Sequence, residues 1–320
     1  MRKLFLLILI TCLILTGCNI MTKPSYTETQ FLLDTVCTIK AGGENSKDAV
    51  ALAFEKIKEI QSVADFYDED STVSKFNRAK KNQPVTLDSH TEEIIKTALE
   101  ISHKSDGAFD ITIAPVKELW NFKGENPSPP EMKLIEEKLP FVGWQKLILD
   151  TENHTLSKTE DGVKIDLGGA AKGYAADVAV ETLKNAGAEW GILDLGGNIA
   201  VFGENPNRKD GNWQIGIQKP YEDSGQYSQT VSLSGGGVVV TSGVYQRYFT
   251  YEGRNYHHIL NPATGLPADA EAESVSIKGE SALVADCLST ACLVLDREKG
   301  EALAKSYNTE IIFEEGTVNE

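Results

Sequence analysis

The segment Ile165-Asp-Leu-Gly-Gly-Ala-Ala-Lys-Gly-Tyr-Ala-Ala-Asp177 constrains the chain more than any other. An apolar strand pattern, Val163 to Ile165, meets Asp166 and then a glycine pair. A helical pattern then continues through Ala170, Tyr174, Ala175 and Val178. Glycines allow close backbone approach, and the first amides of a helix favour an anion, so the segment reads as a place for phosphate. The spacing is neither G-x-G-x-x-G nor G-x-x-x-x-G-K-[ST], which excludes the Rossmann and P-loop readings. A tight structural turn remains the plain alternative.

Arg2 and Lys3 precede an almost wholly apolar run at residues 4–15, the layout of a secretory signal. That run is shorter than the about 20 residues a bilayer-spanning helix needs. It ends in Leu15-Thr-Gly-Cys18, which resembles a bacterial lipobox, with residues 1–17 removed and Cys18 lipidated. Acyl chains on Cys18 would anchor the protein to a membrane at its extracytoplasmic face. The polar residues 18–29 read as a tether, and residues 30–320 as one domain.

Losing Arg2 and Lys3 takes the net charge from −16 to −18. So acidic a surface argues against nucleic acid or anionic lipid as a partner. A phosphate-bearing ligand must then be held locally, by a metal or by amides. Of five cysteines, Cys37, Cys287 and Cys292 remain beyond the signal and the lipid site. Their odd number and apolar surroundings read as buried thiols, not a disulfide framework. The five histidines are not spaced for zinc.

Periodicity predicts strands over residues 31–41, 213–218, 230–233, 238–241 and 273–278, and a strand pair around a glycine turn over 190–202. A hairpin is expected through Glu252-Gly253. Helices are expected over 46–64, 91–105, 131–138, 281–295 and 298–307, with a polar, turn-rich stretch at 65–76. Helices flanking largely antiparallel strands give an α+β class.

Asp286 and Thr290 lie four apart in an apolar helix, so both project from one side. A carboxylate and a hydroxyl form a partial magnesium site, because magnesium takes few protein ligands and fills its shell with water and phosphate. A carbonyl of the 168–170 turn would supply another oxygen. The competing reading has Asp286 facing solvent and Thr290 bonding a carbonyl one turn back. His258, or its neighbour His257, is a candidate general base, against a histidine that merely bonds a loop carbonyl. Asp194-Leu-Gly-Gly-Asn198 reads as a structural turn between paired strands.

Six segments together resemble the ApbE-type FAD:protein FMN transferase family. They are the strand around Thr35, the stretch from Tyr67 to Asn77, Asp106-Gly-Ala-Phe-Asp-Ile-Thr112, the Asp166 motif, Tyr256-His-His-Ile-Leu-Asn-Pro-Ala-Thr-Gly265, and Ala285-Asp-Cys-Leu-Ser-Thr290. The resemblance runs from about Phe31 to the C-terminus. It implies an ApbE-like fold and a Mg²⁺-dependent transfer of FMN from FAD to a threonine hydroxyl, releasing AMP. The acceptor it implies is an extracytoplasmic electron-transfer flavoprotein. Some relatives hydrolyse FAD to FMN and AMP instead, and a non-catalytic flavin-binding lipoprotein is a further alternative. Carried over, the resemblance puts metal ligation on Gly169, Asp286 and Thr290, with His258 and Asp166 catalytic. Flavin dinucleotide contacts fall on Leu33, Tyr67, Ala108, Phe109, Asp110, Asp166, Lys172 and Leu260. This chain departs from the family at Leu33-Asp34, where Met-Gly is frequent, and at Asn261, where Asp is usual.

Overall fold

A computed structural model describes residues 24–122, 124–223 and 225–315. In chain order the elements are β1 (Ser25–Leu32), β2 (Thr35–Gly42), α1 (Ser46–Ala64), α2 (Thr72–Arg78), β3 (Val85–Thr86), α3 (Ser89–Lys104), α4 (Ala114–Trp120) and α5 (Met132–Lys138). There follow β4 (Leu147–Asp150), β5 (Thr155–Lys158), α6 (Ala171–Asn185), β6 (Trp190–Leu195), β7 (Asn198–Phe202), β8 (Trp213–Gln218) and β9 (Tyr227–Leu233). The last are β10 (Gly236–Gly243), β11 (Tyr248–Tyr251), β12 (Arg254–His257), β13 (Ser274–Gly279), α7 (Ala282–Val294), α8 (Arg297–Ser306) and β14 (Glu310–Glu314).

Alternating side chains sort the main sheet's two faces. Its order is β1-β2-β6-β7-β10-β13-β14, every pair antiparallel. Ile39, Leu193, Leu195, Ala200, Val240 and Ile277 point to one side and bury against the helices. Val201 and Val239 point to the other, where the β8–β9 hairpin covers them with Trp213, Ile215, Val231 and Leu233. A period of two forces this division, so each strand serves two cores. The expected α+β class with antiparallel sheets and flanking helices is what the chain adopts.

On the helix side, α1 buries Val50, Ala53, Phe54, Ile57 and Ile60 along a single stripe. Each large side chain so buried contributes about 1.5–3 kcal/mol. Helices α6 and α7 pack beside it, and their N-terminal ends meet at the site described below. A third cluster, around Trp120, Phe249 and Leu260, joins α4 to the β11–β12 hairpin.

Two expectations change. Residues 31–41 are not one strand but a hairpin, turning at Leu33 (φ 51°) and Asp34 (φ 63°). Two consecutive left-handed residues match the twist of the flanking strands, a turn usually signalled by Asn-Gly, which this sequence lacks. β1 also begins at Ser25, so residues 25–29 belong to the sheet and not to a tether. Every second residue from Tyr26 to Gln30 turns inward, and the whole strand pairs with β2. The signal segment and Cys18 lie outside the described residues.

Candidate functional site

Helices α6 and α7 cap each other. Asp177 of α6 accepts hydrogen bonds from Ala282 N (2.7 Å), Leu283 N (3.0 Å) and Ser281 Oγ (2.9 Å), at the start of α7. Asp286 of α7 in turn accepts from Gly173 N (2.9 Å), in the first turn of α6. The exchange requires close approach: a Cβ on Gly173 would lie 2.2 Å from the Ala282 carbonyl oxygen and 2.8 Å from Asp286 Cβ. Only glycine fits there.

This alters the reading of the glycine turn. Ala170 N and Ala171 N both donate to Leu167 O, and Gly168 N donates to Asp166 Oδ1. The anion at the N-terminus of α6 is the Asp286 carboxylate, not an open berth for phosphate. That carboxylate occupies the end of the helix where a ligand's charge would otherwise sit.

Around Asp286, 3% exposed, the predicted cation ligands converge. Thr290 Oγ1 donates to the Asp286 carbonyl at 3.4 Å and lies 3.1 Å from Ser242 Oγ of β10. A Cβ built on Gly169 would stand 3.7 Å from Thr290 Oγ1 and 3.1 Å from the Phe109 ring, so turn and helix are adjacent. Lys172 Nζ sits between Gly168 O (3.3 Å) and Asp286 Oδ1 (3.5 Å). The alternative of a solvent-facing Asp286 does not hold, whereas the back-bond of Thr290 does form.

Residues 163–165 are extended but unpaired, correcting the expected strand. The Asn77 side chain satisfies this backbone, accepting from Ile165 N (2.7 Å) and donating to Ile165 O (2.9 Å). Beneath it, fully buried Lys158 donates to Val163 O (2.7 Å), Phe76 O and Asn77 O (both 3.1 Å). Burial pushes the Lys158 ammonium down to about 8, which leaves it charged at neutral pH. This clamp presents Asp166, whose Oδ2 accepts from Lys117 Nζ at 2.6 Å. Burial raises the Asp166 pKa, but the charge and hydrogen bond of Lys117, with the Gly168 amide, outweigh it and hold the value below the usual range.

His258 lies across the cavity from the turn. Its Nδ1–H donates to the Arg247 carbonyl at 3.1 Å, so Nε2 carries the lone pair. Burial, then the charges of Arg247 and Lys117, push its pKa down to about 3, and the ring is neutral at pH 7. His257 is turned away, with Nε2 on the Ala268 carbonyl. The Arg247 guanidinium reaches Asp34 at 2.9 Å and links this wall to the β1–β2 turn.

Lys117, Asp166, Gly169, Lys172, His258, Asp286 and Thr290 line one cavity of about 1840 Å³, together with Leu33, Tyr67, Ala108, Phe109, Asp110 and Leu260. Leu33 N is fixed by Gln61 Oε1 at 2.6 Å, Phe109 is buried against the glycine turn, and Tyr67 is 72% exposed at the rim. Asp110 lines the cavity, but its carboxylate is occupied by Thr112 N, Thr112 Oγ1 and Trp144 N. Burial raises its pKa. It therefore shapes the loop and offers a ligand little charge. The Asp194–Asn198 segment is a hairpin turn, as expected, with Gly196 (φ 66°) and Gly197 (φ 92°) also on the cavity wall.

Lys117 and Lys158 escape sequence reasoning. Lys117 lies 49 residues from Asp166 and Lys158 five from Val163, and a lone Lys in an ordinary pattern carries no local signal.

The chain is similar to proteins of one kind throughout. A FAD:protein FMN transferase of Klebsiella pneumoniae (strain 342) is 33% identical, over 81% of this chain and 80% of that one. One from Treponema pallidum (strain Nichols) is 29% identical, over 88% and 82%. The crystal structure of the ApbE protein of Thermotoga maritima superposes with a TM-score of 0.83 at 34% identity, covering 91% of this chain and 94% of that one. The flavinyl transferase ApbE of Pseudomonas stutzeri gives 0.78 at 29% identity, covering 91% of each. The pattern of the ApbE family matches residues 33–313, and the chain belongs to that family.

Proposed function

We propose that this protein is a FAD:protein FMN transferase that moves the FMN portion of FAD to a threonine hydroxyl of an acceptor protein and releases AMP. The observation that carries the reading is the convergence of Asp286, Thr290, the glycine turn and a neutral His258 on one cavity. The threonine Oγ forms the new bond to the FMN phosphorus, and the bond from that phosphorus to the bridging oxygen breaks. AMP leaves with that oxygen, and the hydroxyl proton passes to His258 Nε2. A diphosphate beside His258 offsets the Arg247 and Lys117 charges, which brings the imidazole back towards a useful basicity.

Magnesium fits the donors present. A cation, the Lys172 ammonium, already rests between oxygens of the turn and of Asp286. Among the described residues no three His, Cys, Asp or Glu side chains gather, so a metal would take its remaining ligands from hydroxyl, carbonyl, water and phosphate. Asp286, Thr290 and the Gly169 carbonyl would hold it. Bound there, Mg²⁺ supplies charge neutralisation on the diphosphate. Lys117 keeps Asp166 ionised, and Asp166 in turn fixes Gly168 N, which sets the turn that faces the ligand. Phe109 and Tyr67 offer aromatic faces to a planar ring system.

The lipobox supports a lipid anchor on Cys18 at the extracytoplasmic face of a cell membrane, and the acceptor is then an electron-transfer flavoprotein exposed on that side. Incubation with FAD, Mg²⁺ and a threonine-bearing acceptor tests the chemistry. Flavin fluorescence retained on the denatured acceptor is expected. Free FMN without a labelled acceptor would instead mean FAD hydrolysis, and intact FAD a binding protein.

A further inference from the structure

We propose that the acceptor docks as an extended segment along the free edge of β8, in a groove that leads over Gly196–Gly197 to the glycine turn. This inference rests on the transferase reading, which requires a polypeptide hydroxyl to reach the site.

The cavity's lining divides in two by place in the fold. Leu33, Tyr67, Phe109, Lys117 and His258 form the surroundings assigned above to FAD. A second part of the lining comes from the outer face of the main sheet, at Val36, Thr38, Ile192 and Ile199, and from β8. The cavity's combined volume of about 1840 Å³ exceeds the range of roughly 300–1,000 Å³ usual for a small-molecule site.

β8 borders this second part of the cavity along its edge. Gln214, Gly216 and Gln218 line it, and so does Ile215, which has the opposite parity. Neighbours of both parities line a space only when that space runs beside the strand, because successive side chains point to opposite faces. Among the described residues β8 pairs with β9 alone, so its other edge offers unpaired backbone groups to the groove. Apolar groups wait at the rim: Phe31 is 70% exposed, Val36 57% and Tyr227 59%. An unpaired edge bordered by apolar side chains recognises an extended peptide through its main chain, with alternate side chains in contact. The groove's inner end passes Thr241 and Ser242, and Ser242 bonds Thr290. A threonine carried by such a segment therefore arrives beside the cation ligands.

The probe is a panel of roughly ten-residue peptides of alternating apolar and polar residues, each with one central threonine, given to the full chain with FAD and Mg²⁺. FMN-peptide is read by fluorescence after chromatography. The wild type is expected to label members of the panel. Val36→Lys and Phe31→Ser, both at exposed positions, are expected to raise the peptide KM by about tenfold, one good contact's worth, while the FAD KM stays within about twofold. N-methylation of alternate peptide amides, on the edge that would pair, is expected to abolish labelling. Free FMN without FMN-peptide means FAD hydrolysis and overturns the transferase reading together with the docking proposal that rests on it. A raised FAD KM in the variants assigns the groove to the dinucleotide and overturns the docking proposal, as does equal labelling of N-methylated peptides. Intact FAD with the peptides, while a threonine-bearing protein acceptor is labelled in parallel, overturns the docking proposal alone; intact FAD with both refutes the transferase reading itself.

Discussion

Lys158→Met tests the clamp behind Asp166. The wild-type ammonium is fully buried and serves three carbonyls, of which Phe76 O also accepts from Ala79 N. Methionine fills the space but donates nothing, so Asn77 O and Val163 O lose the ammonium. Each buried carbonyl left unsatisfied costs about 1–3 kcal/mol, giving about 4 kcal/mol for the two. Relief from burying a charge offsets part of this, for a net loss of about 3 kcal/mol. For a protein of this size that lowers Tm by about 5 °C. Lys158→Arg cannot place one nitrogen among three carbonyls and should recover little of it. The assay is thermal unfolding by circular dichroism, paired with FAD titration. Since Lys158 acts through Val163 and Asn77 on the segment carrying Asp166, FAD affinity should weaken well below the melting range. A Tm within about 2 °C of wild type, with unchanged FAD affinity, would falsify the clamp.

Other expectations are smaller in scope. Asp286→Ala removes both the proposed cation ligand and the α6 cap; turnover should fall by at least about 10³-fold, and Mg²⁺ should no longer raise Tm in melting. His258→Gln should lower kcat by about 10²–10⁴-fold with the FAD KM nearly constant. Because the folded His258 value lies near 3 and the unfolded one near the ordinary ~6.5, the unfolded chain binds the extra proton between them, and stability is lost as pH falls through that window. Melts of His258→Gln should therefore decline less between pH 7 and 5, by about 2 kcal/mol at pH 5, and an identical decline would count against a buried neutral ring. Lys117→Met deprives Asp166 of its partner. With Lys117 about a third exposed, solvent tempers the loss to about 1–3 kcal/mol, and an infrared titration should find the Asp166 carboxyl raised.

Local physics made much of this chain legible. α1 was readable from end to end, since its apolar stripe runs unbroken and its ends carry no conflicting signal. The β6–β7 and β11–β12 hairpins announced themselves through Gly-Gly and Glu-Gly. The segment 163–165 misled because its alternating Val-Lys-Ile pattern matches a strand while its backbone partners are the Asn77 side chain, 88 residues from Ile165, and Lys158, five from Val163. α2 was hidden in a polar stretch: its stability comes from the Ser71 cap and from burying Val73 and Phe76, which short windows do not reveal. In the site, the shared side of Asp286 and Thr290 was legible from their four-residue spacing in a helix, and the structure sets Gly169 beside Thr290. Lys117 was not, because a charge on a short helix reads as surface until Asp166 is seen beside it.

The mutual capping of α6 and α7 has a consequence for motion. Neither helix can begin to unravel without stripping the other's first amides of their acceptor, so the two starts must open as one cooperative unit. Gly173 and Ala282 amides should consequently exchange with deuterium at a common rate, well apart from the Tyr67 loop. The wall formed by the starts of α6 and α7 is therefore set before any ligand arrives.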